Sequence, residues 1–259
     1  MTQLLVSVKN VEETLIALNA GVDIIDLKDP ANGALGALHL VISAQIVAKT
    51  QQYNQLKRMN DPDFLPILTS ATVGEQHNDL NGLMKSVMQR LAINVDIIKI
   101  AVNSLEAIPN WEISFDMQAI TATKAGIKLV AVFFADQEVN LSLLETLNNM
   151  GFYGAMLDTS SKQQDLLTIC TMQALQTFTQ SCKKNALKSG LAGSLKPQHI
   201  ECLSEISPFY IGFRGGVCES DARNNALIMH KVVKVKNLLQ KHNKLNDLAR
   251  QSSRLALIS

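Results

Sequence analysis

An α/β fold, a single (β/α)8 TIM barrel with a carboxyl-terminal helical extension, is predicted by three observations on this sequence. Eight short runs rich in apolar and β-branched residues recur along it, and several carry a charged residue near their carboxyl end. Segments with helical spacing alternate with those runs throughout. The length, 259 residues, is close to the roughly 250 of one such barrel.

The first strand is expected at Leu4–Val8, followed by a helical segment at Val11–Ala20. Asp23–Lys28 is the second strand, and the segment from about His39 to Met59 has helical spacing after it. Pro66–Thr72 and Asn81–Leu91, then Asp96–Val102 and Met117–Gly126, continue the alternation. Ile127–Asp136, Gly154–Thr159, Lys188–Gly193 and Tyr210–Gly215 supply the remaining strands. Their helical segments are Leu141–Asn149, Gln164–Asn185, Pro197–Glu205 and Ala222–Leu239. Alternation favours a parallel sheet, and eight repeats favour closure over the alternative, an open doubly wound sheet. Gly21, Gly126, Gly151 and Gly190 fall just after a helix and before a strand, where a left-handed cap residue is wanted. The barrel is assigned residues 1–240, and the extension, 241–259, is expected to pack on the barrel or on a partner.

A hydrophobic fraction of 47% is ample for a core, and a net charge of +1 gives no global attraction to nucleic acid or a membrane surface. Any anion site must then be local. Cys170, Cys182, Cys202 and Cys218 form no CxxC pair and no secretory segment precedes them, which points to a reducing cytoplasm rather than a disulfide framework. The five histidines show no metal-ligand spacing, so no metal is expected. No apolar run reaches the eighteen or so residues of a membrane span.

In a barrel of this kind the carboxyl ends of the strands build the active site, which gathers Asp26, Lys28, Lys99, Asp158, Lys162 and Arg214. Asp26 and Lys28 are two apart on a strand and so share a side. Lys99 is flanked by apolar residues, where a charge reflects function or a structural ion pair. Lys28, Lys99 and Asp158 fall on the second, fourth and sixth strands, and a barrel's interior layers come from alternate strands. Neighbouring ammonium groups depress one another's pKa, giving a route to one lysine as imine former and another as acid/base. Ala192, Gly193 and Ser194 after the seventh strand, with Arg214, Gly215 and Gly216 after the eighth, are the expected phosphate cradle. Cys218 reads as an inert buried thiol. The glycine-containing loop Asp29–Ala37 reads either as a phosphate-cradling loop or as a plain surface turn, and Glu75 and His77 could face the mouth.

Seven ordered segments resemble a specific family: Asp23–Pro30, Gly33–Ala37, Ser70–Gly74, Asp96–Ile100, Met156–Thr159 with Lys162, Leu191–Lys196, and Gly212–Gly216 with Cys218 and Glu219. The family is the (5-formylfuran-3-yl)methyl phosphate synthases of methanofuran biosynthesis, and the likeness runs across nearly the whole barrel. It departs at Asp29, Ala34 and Ala101 and in the further carboxyl-terminal helix. The resemblance implies a lyase that condenses two molecules of glyceraldehyde 3-phosphate, its small-molecule substrate, with loss of phosphate and water and with no cofactor. It implies Lys28 as the Schiff-base residue and Lys99 as proton acceptor, with Asp26, Asp158 and Lys162 as further active-site residues. Another Schiff-base aldolase and a non-catalytic phosphometabolite-binding barrel are the alternatives from the residues alone, and whether the protein is a homo-oligomer stays open.

Overall fold

A computed structural model describes residues 1–75, 79–115, 117, 120 and 124–256. Its strands are β1 (Gln3–Val8), β2 (Ile24–Leu27), β3 (Leu68–Thr72), β4 (Ile97–Ala101), β5 (Lys128–Phe134), β6 (Gly154–Asp158), β7 (Lys188–Leu191) and β8 (Tyr210–Phe213). All pair in parallel in sequence order, and β1 closes the barrel against β8. The predicted fold is therefore the observed one. Each strand is buried on both faces, which is why its sequence reads as a nearly continuous apolar run.

Side-chain alternation sorts the strand residues into two compartments. Ile25, Leu27, Ile98, Ile100, Ala155 and Leu157 pack outward against the helices. Ile24, Ile97, Val130, Met156 and Tyr210 fill the barrel interior. Asp26, Lys99 and Asp158 share the inward side of their strands with Ile24, Ile97 and Met156 and stand two residues nearer the mouth. Register aligns them: Asp26 pairs with Ser7 on one side and Ser70 on the other, and Lys99 pairs with Thr72. The interior is thus apolar below and charged at the carboxyl ends.

Helices begin where side chains take up the free N–H groups of the first turn. Asn10 accepts from the Glu13 amide, Asp79 from that of Gly82, and Thr171 from that of Ala174. Of the four glycines expected as left-handed caps, Gly21, Gly126 and Gly151 have positive φ. Gly190 does not; it lies inside β7, where a Cβ would stand 2.3 Å from the Tyr210 ring. Absence of a side chain there makes room for an aromatic in the barrel floor, and Ala186 holds the left-handed position before β7 instead.

The segment expected to be helical from Ala222 is irregular as far as Ile228, and the helix runs from Met229 to Ala256. It crosses residue 240 without interruption, so the last barrel helix and the extension are one element. Asn243 exchanges two hydrogen bonds with the Thr2 backbone, and Asn246 donates to the Ser204 carbonyl, which docks the start of the extension on the barrel. The expected helix Gln164–Asn185 is two, Leu166–Ile169 and Met172–Lys184, because Thr171 caps a new start. Half of Met117–Gly126 lies outside the described residues. No helix among the described residues is long and apolar enough to cross a membrane.

Candidate active site

Five ionisable side chains from β2, β4, β6 and the loops after β2 and β6 meet at the mouth. Lys99 Nζ lies 2.5 Å from Asp26 Oδ1, and Ser7 donates to Asp26 Oδ2 at 2.7 Å. Asp158 receives Lys162 on Oδ1 at 2.6 Å and Lys28 on Oδ2 at 3.3 Å, while its own strand end adds the Thr159 N–H at 2.8 Å. Asp26, Lys28, Lys99 and Asp158 are all buried. The sequence expectation that these residues are brought together is what the fold delivers.

Burial by itself would raise both carboxyls, since it disfavours charge. For Asp26 the charges of Lys99 and Lys28 and the hydrogen bond from Ser7 outweigh it, and the net direction is down. For Asp158 the charges of Lys162 and Lys28 outweigh burial further and hold the carboxyl well below the usual carboxylate range. Burial lowers the ammonium of Lys99, against the pull of Asp26 and with help from Lys28. Lys162 is lowered to about 8 by burial, with Asp158 opposing and Lys28 assisting. Three lysines therefore share two carboxylates in a space where protonation is contested.

The amines differ in how tightly they are held. Lys162 donates to Asp158 and to both oxygens of Thr159, which occupies its three hydrogens. Lys99 is held closely by Asp26. Among the described residues Lys28 has one polar contact, a long one to Asp158, and it opens on a cavity of about 450 Å³. That volume falls in the roughly 300–1,000 Å³ of small-molecule sites.

Ala192, Gly193, Ser194, Gly215 and Gly216 line the same cavity. No acceptor among the described residues takes the N–H of Gly193, Ser194, Gly215 or Gly216. Gly193, at φ +116°, could carry a side chain only by striking Thr159, and a Cβ on Gly216 would lie 2.3 Å from the Leu195 carbonyl. Missing side chains thus let the loops after β6, β7 and β8 close against one another.

The Arg214 side chain is committed to the protein, so what the β8 loop can offer an anion is its backbone. The side chain's five N–H groups go to Glu13, to the carbonyls of Ser7, Arg223 and Asn225, and so to the protein alone. Glu13, buried on the helix Val11–Asn19, neutralises it at 2.5 Å. Arg214 is the strut that shapes the β8 loop. The loop after β2 folds inward and buries Ala34 and Leu35 in the interior cluster, so it is not a bare surface turn. Glu75 accepts from the Leu35 N–H and fixes that fold, and His77 lies outside the described residues. Cys218 is buried and burial raises its thiol, as an inert cysteine requires.

Sequence reasoning did not single out Ser7, Glu13 or Arg223. Ser7 carried a signal, a polar residue next to the end of an apolar strand. Arg223 lines the cavity and donates to the Gly33 carbonyl, but lay in a stretch read as helix. Among the described residues no group of three or more His, Cys, Asp or Glu could hold a metal ion.

A family model for 4-HFC-P synthase matches residues 4–236. The (5-formylfuran-3-yl)methyl phosphate synthase of Methanothermobacter thermautotrophicus is 30% identical over 248 residues, 91% of this chain and 98% of that one. The protein of the same name from Methanocaldococcus jannaschii is 30% identical over 243 residues, covering 89% of this chain and 96% of its own. Among solved structures, 3-hexulose-6-phosphate synthase from Salmonella typhimurium superposes with a TM-score of 0.60 at 12% identity, over 93% of this chain and 100% of that one. At that identity the likeness speaks for the barrel alone.

Proposed function

Because the chain belongs to the 4-HFC-P synthase family, we propose that it is a lyase of methanofuran biosynthesis acting through an imine at Lys28. Two molecules of glyceraldehyde 3-phosphate are condensed to (5-formylfuran-3-yl)methyl phosphate, and atom balance requires release of one phosphate and two waters. The observation that carries the choice of Lys28 is its single long contact beside a cavity, against the saturated ammonium of Lys162 and the close pair of Lys99.

An amine attacks only through a free lone pair. Lys28 adds to the substrate carbonyl, whose oxygen leaves as water, and the protonated imine then draws electrons from the adjacent carbon. Lys99 gives and takes protons at that carbon, with Asp26 holding it in place and balancing its charge when it is protonated. Asp158 keeps Lys28 oriented and shares its charge with Lys162. The unpaired amides of Gly193, Ser194, Gly215 and Gly216 receive a substrate phosphate. Water adds back to the final imine and frees Lys28.

Reduction with borohydride in the presence of triose phosphate, followed by peptide mass spectrometry, tests this reading. The expected adduct is on Lys28 alone, with the furan aldehyde formed in the unreduced reaction. An adduct solely on Lys99 or Lys162 would reverse the roles. An adduct on Lys28 with a different product would make the protein another Schiff-base aldolase, and no adduct would favour a binding barrel.

A further inference from the structure

The proposed reaction brings two phosphorylated molecules into one cavity, and the glycine cradle offers a place for one phosphate. We propose that Arg223 binds the phosphate of the second molecule, the one not joined to Lys28; this rests on the reading of the site as a two-substrate synthase.

Arg223 lies on the loop after β8, and its backbone packs beside Gly215, with its N 3.7 Å from where a Gly215 Cβ would stand. From the edge of the cradle its guanidinium crosses to the loop after β2, where one Nη2 hydrogen meets the Gly33 carbonyl at 2.7 Å. That is the one hydrogen bond its side chain makes among the described residues, so four of its five N–H groups are open. No carboxylate among the described residues lies within salt-bridge distance of it; Asp158, Glu75 and Asp29 act from further away, and Arg214 repels it. It is half-buried, and burial works against its charge. A partly desolvated guanidinium without a counter-ion is poorly placed unless an anion arrives.

The contrast with Arg214 sharpens the point. Two arginines nine residues apart border one cavity; one has a carboxylate partner and no open donor, the other has open donors and no carboxylate. A planar fork of free N–H groups suits two oxygens of a phosphate. Arg223 also lowers the Lys162 ammonium, so its charge is felt among the reacting lysines, and the arrival of a dianion at Arg223 relieves that repulsion.

The rival role for Arg223 is a latch that merely ties the β8 loop to Gly33. Arg223→Gln separates the two, because an amide can still donate to the Gly33 carbonyl but carries no charge. The Lys28 imine is formed with a first triose phosphate, and a single turnover is followed with either glyceraldehyde 3-phosphate or unphosphorylated glyceraldehyde as the second aldehyde. Loss of a charge-assisted contact is expected to lower the preference for the phosphorylated aldehyde roughly 10–150-fold. Arg223→Gln and Arg223→Met should lose it alike, Arg223→Lys should regain part, and borohydride trapping at Lys28 should persist in all three. Retention of the preference by Arg223→Gln, or equal loss with both aldehydes, would overturn the assignment while leaving the synthase reading intact. Failure of the unsubstituted protein to form the furan would instead remove the synthase reading and this inference with it.

Discussion

Asp158→Asn removes the carboxylate that Lys28 and Lys162 share and leaves the Thr159 N–H an acceptor in the amide oxygen. Breaking a buried pair by deleting one partner costs about 3–5 kcal/mol, because the remaining charge is stranded. The stranded charges here are lysines, which can escape by releasing protons. Neutralising a lysine of ordinary pKa costs about 1.4 kcal/mol per pH unit below that pKa, or about 5 kcal/mol at pH 7 and about 2 kcal/mol at pH 9. Lys162 already sits near 8 with Asp158 present, and without it falls further. A lysine whose pKa is lower in the folded chain than in the unfolded one penalises folding at low pH and ceases to do so as pH rises toward 10.5. The deficit should therefore be about 3–5 kcal/mol at pH 7, equivalent to a fall in Tm of about 6–20 °C, and shrink to about 1–2 kcal/mol at pH 9.5. Urea unfolding of both proteins at each pH, with the slope m checked for constancy, measures it. A deficit that stays constant with pH, or none at pH 7, would refute the shared-carboxylate account.

Two further outcomes follow from the same geometry. Lys99→Met keeps the apolar stem and removes the amine, so trapping at Lys28 should survive while furan formation falls by about 10²–10⁴-fold, read by product mass analysis in single turnovers; near-normal product would exclude Lys99 as acid/base. Gly190→Ala places a methyl 2.3 Å from the Tyr210 ring and should destabilise the barrel by about 1–3 kcal/mol, seen as a lower urea midpoint.

The charged cluster was legible because two periodicities coincide. Alternation places Asp26 and Lys28 on one side of β2, and alternate strands add Lys99 and Asp158 to the same layer. The partner of the Arg214 side chain was not legible, because Glu13 looks like an acidic first-turn residue of an amphipathic helix and only the fold brings it against Arg214. Gly190 followed the local pattern of a cap, yet the Tyr210 ring that excludes a side chain there comes from the neighbouring strand. Arg223 was invisible for a related reason. Where an irregular loop turns depends on the Cys218–Leu227 bridge and the start of the helix at Met229, neither of which has a period. Periodic signals report faces; they do not report which side chains meet across loops.

The Lys28–Asp158 contact joins residues 130 positions apart. Asp26, Lys28 and Lys99 come from the first half of the barrel, up to β4, whereas Asp158, Lys162 and the glycine loops come from the second half. A ribosome therefore releases Lys28 and the Asp26–Lys99 pair first and the groups that close around them afterwards. Until β6 is in place and the last strand closes against the first, Lys28 has neither its Asp158 partner nor the cavity it opens on.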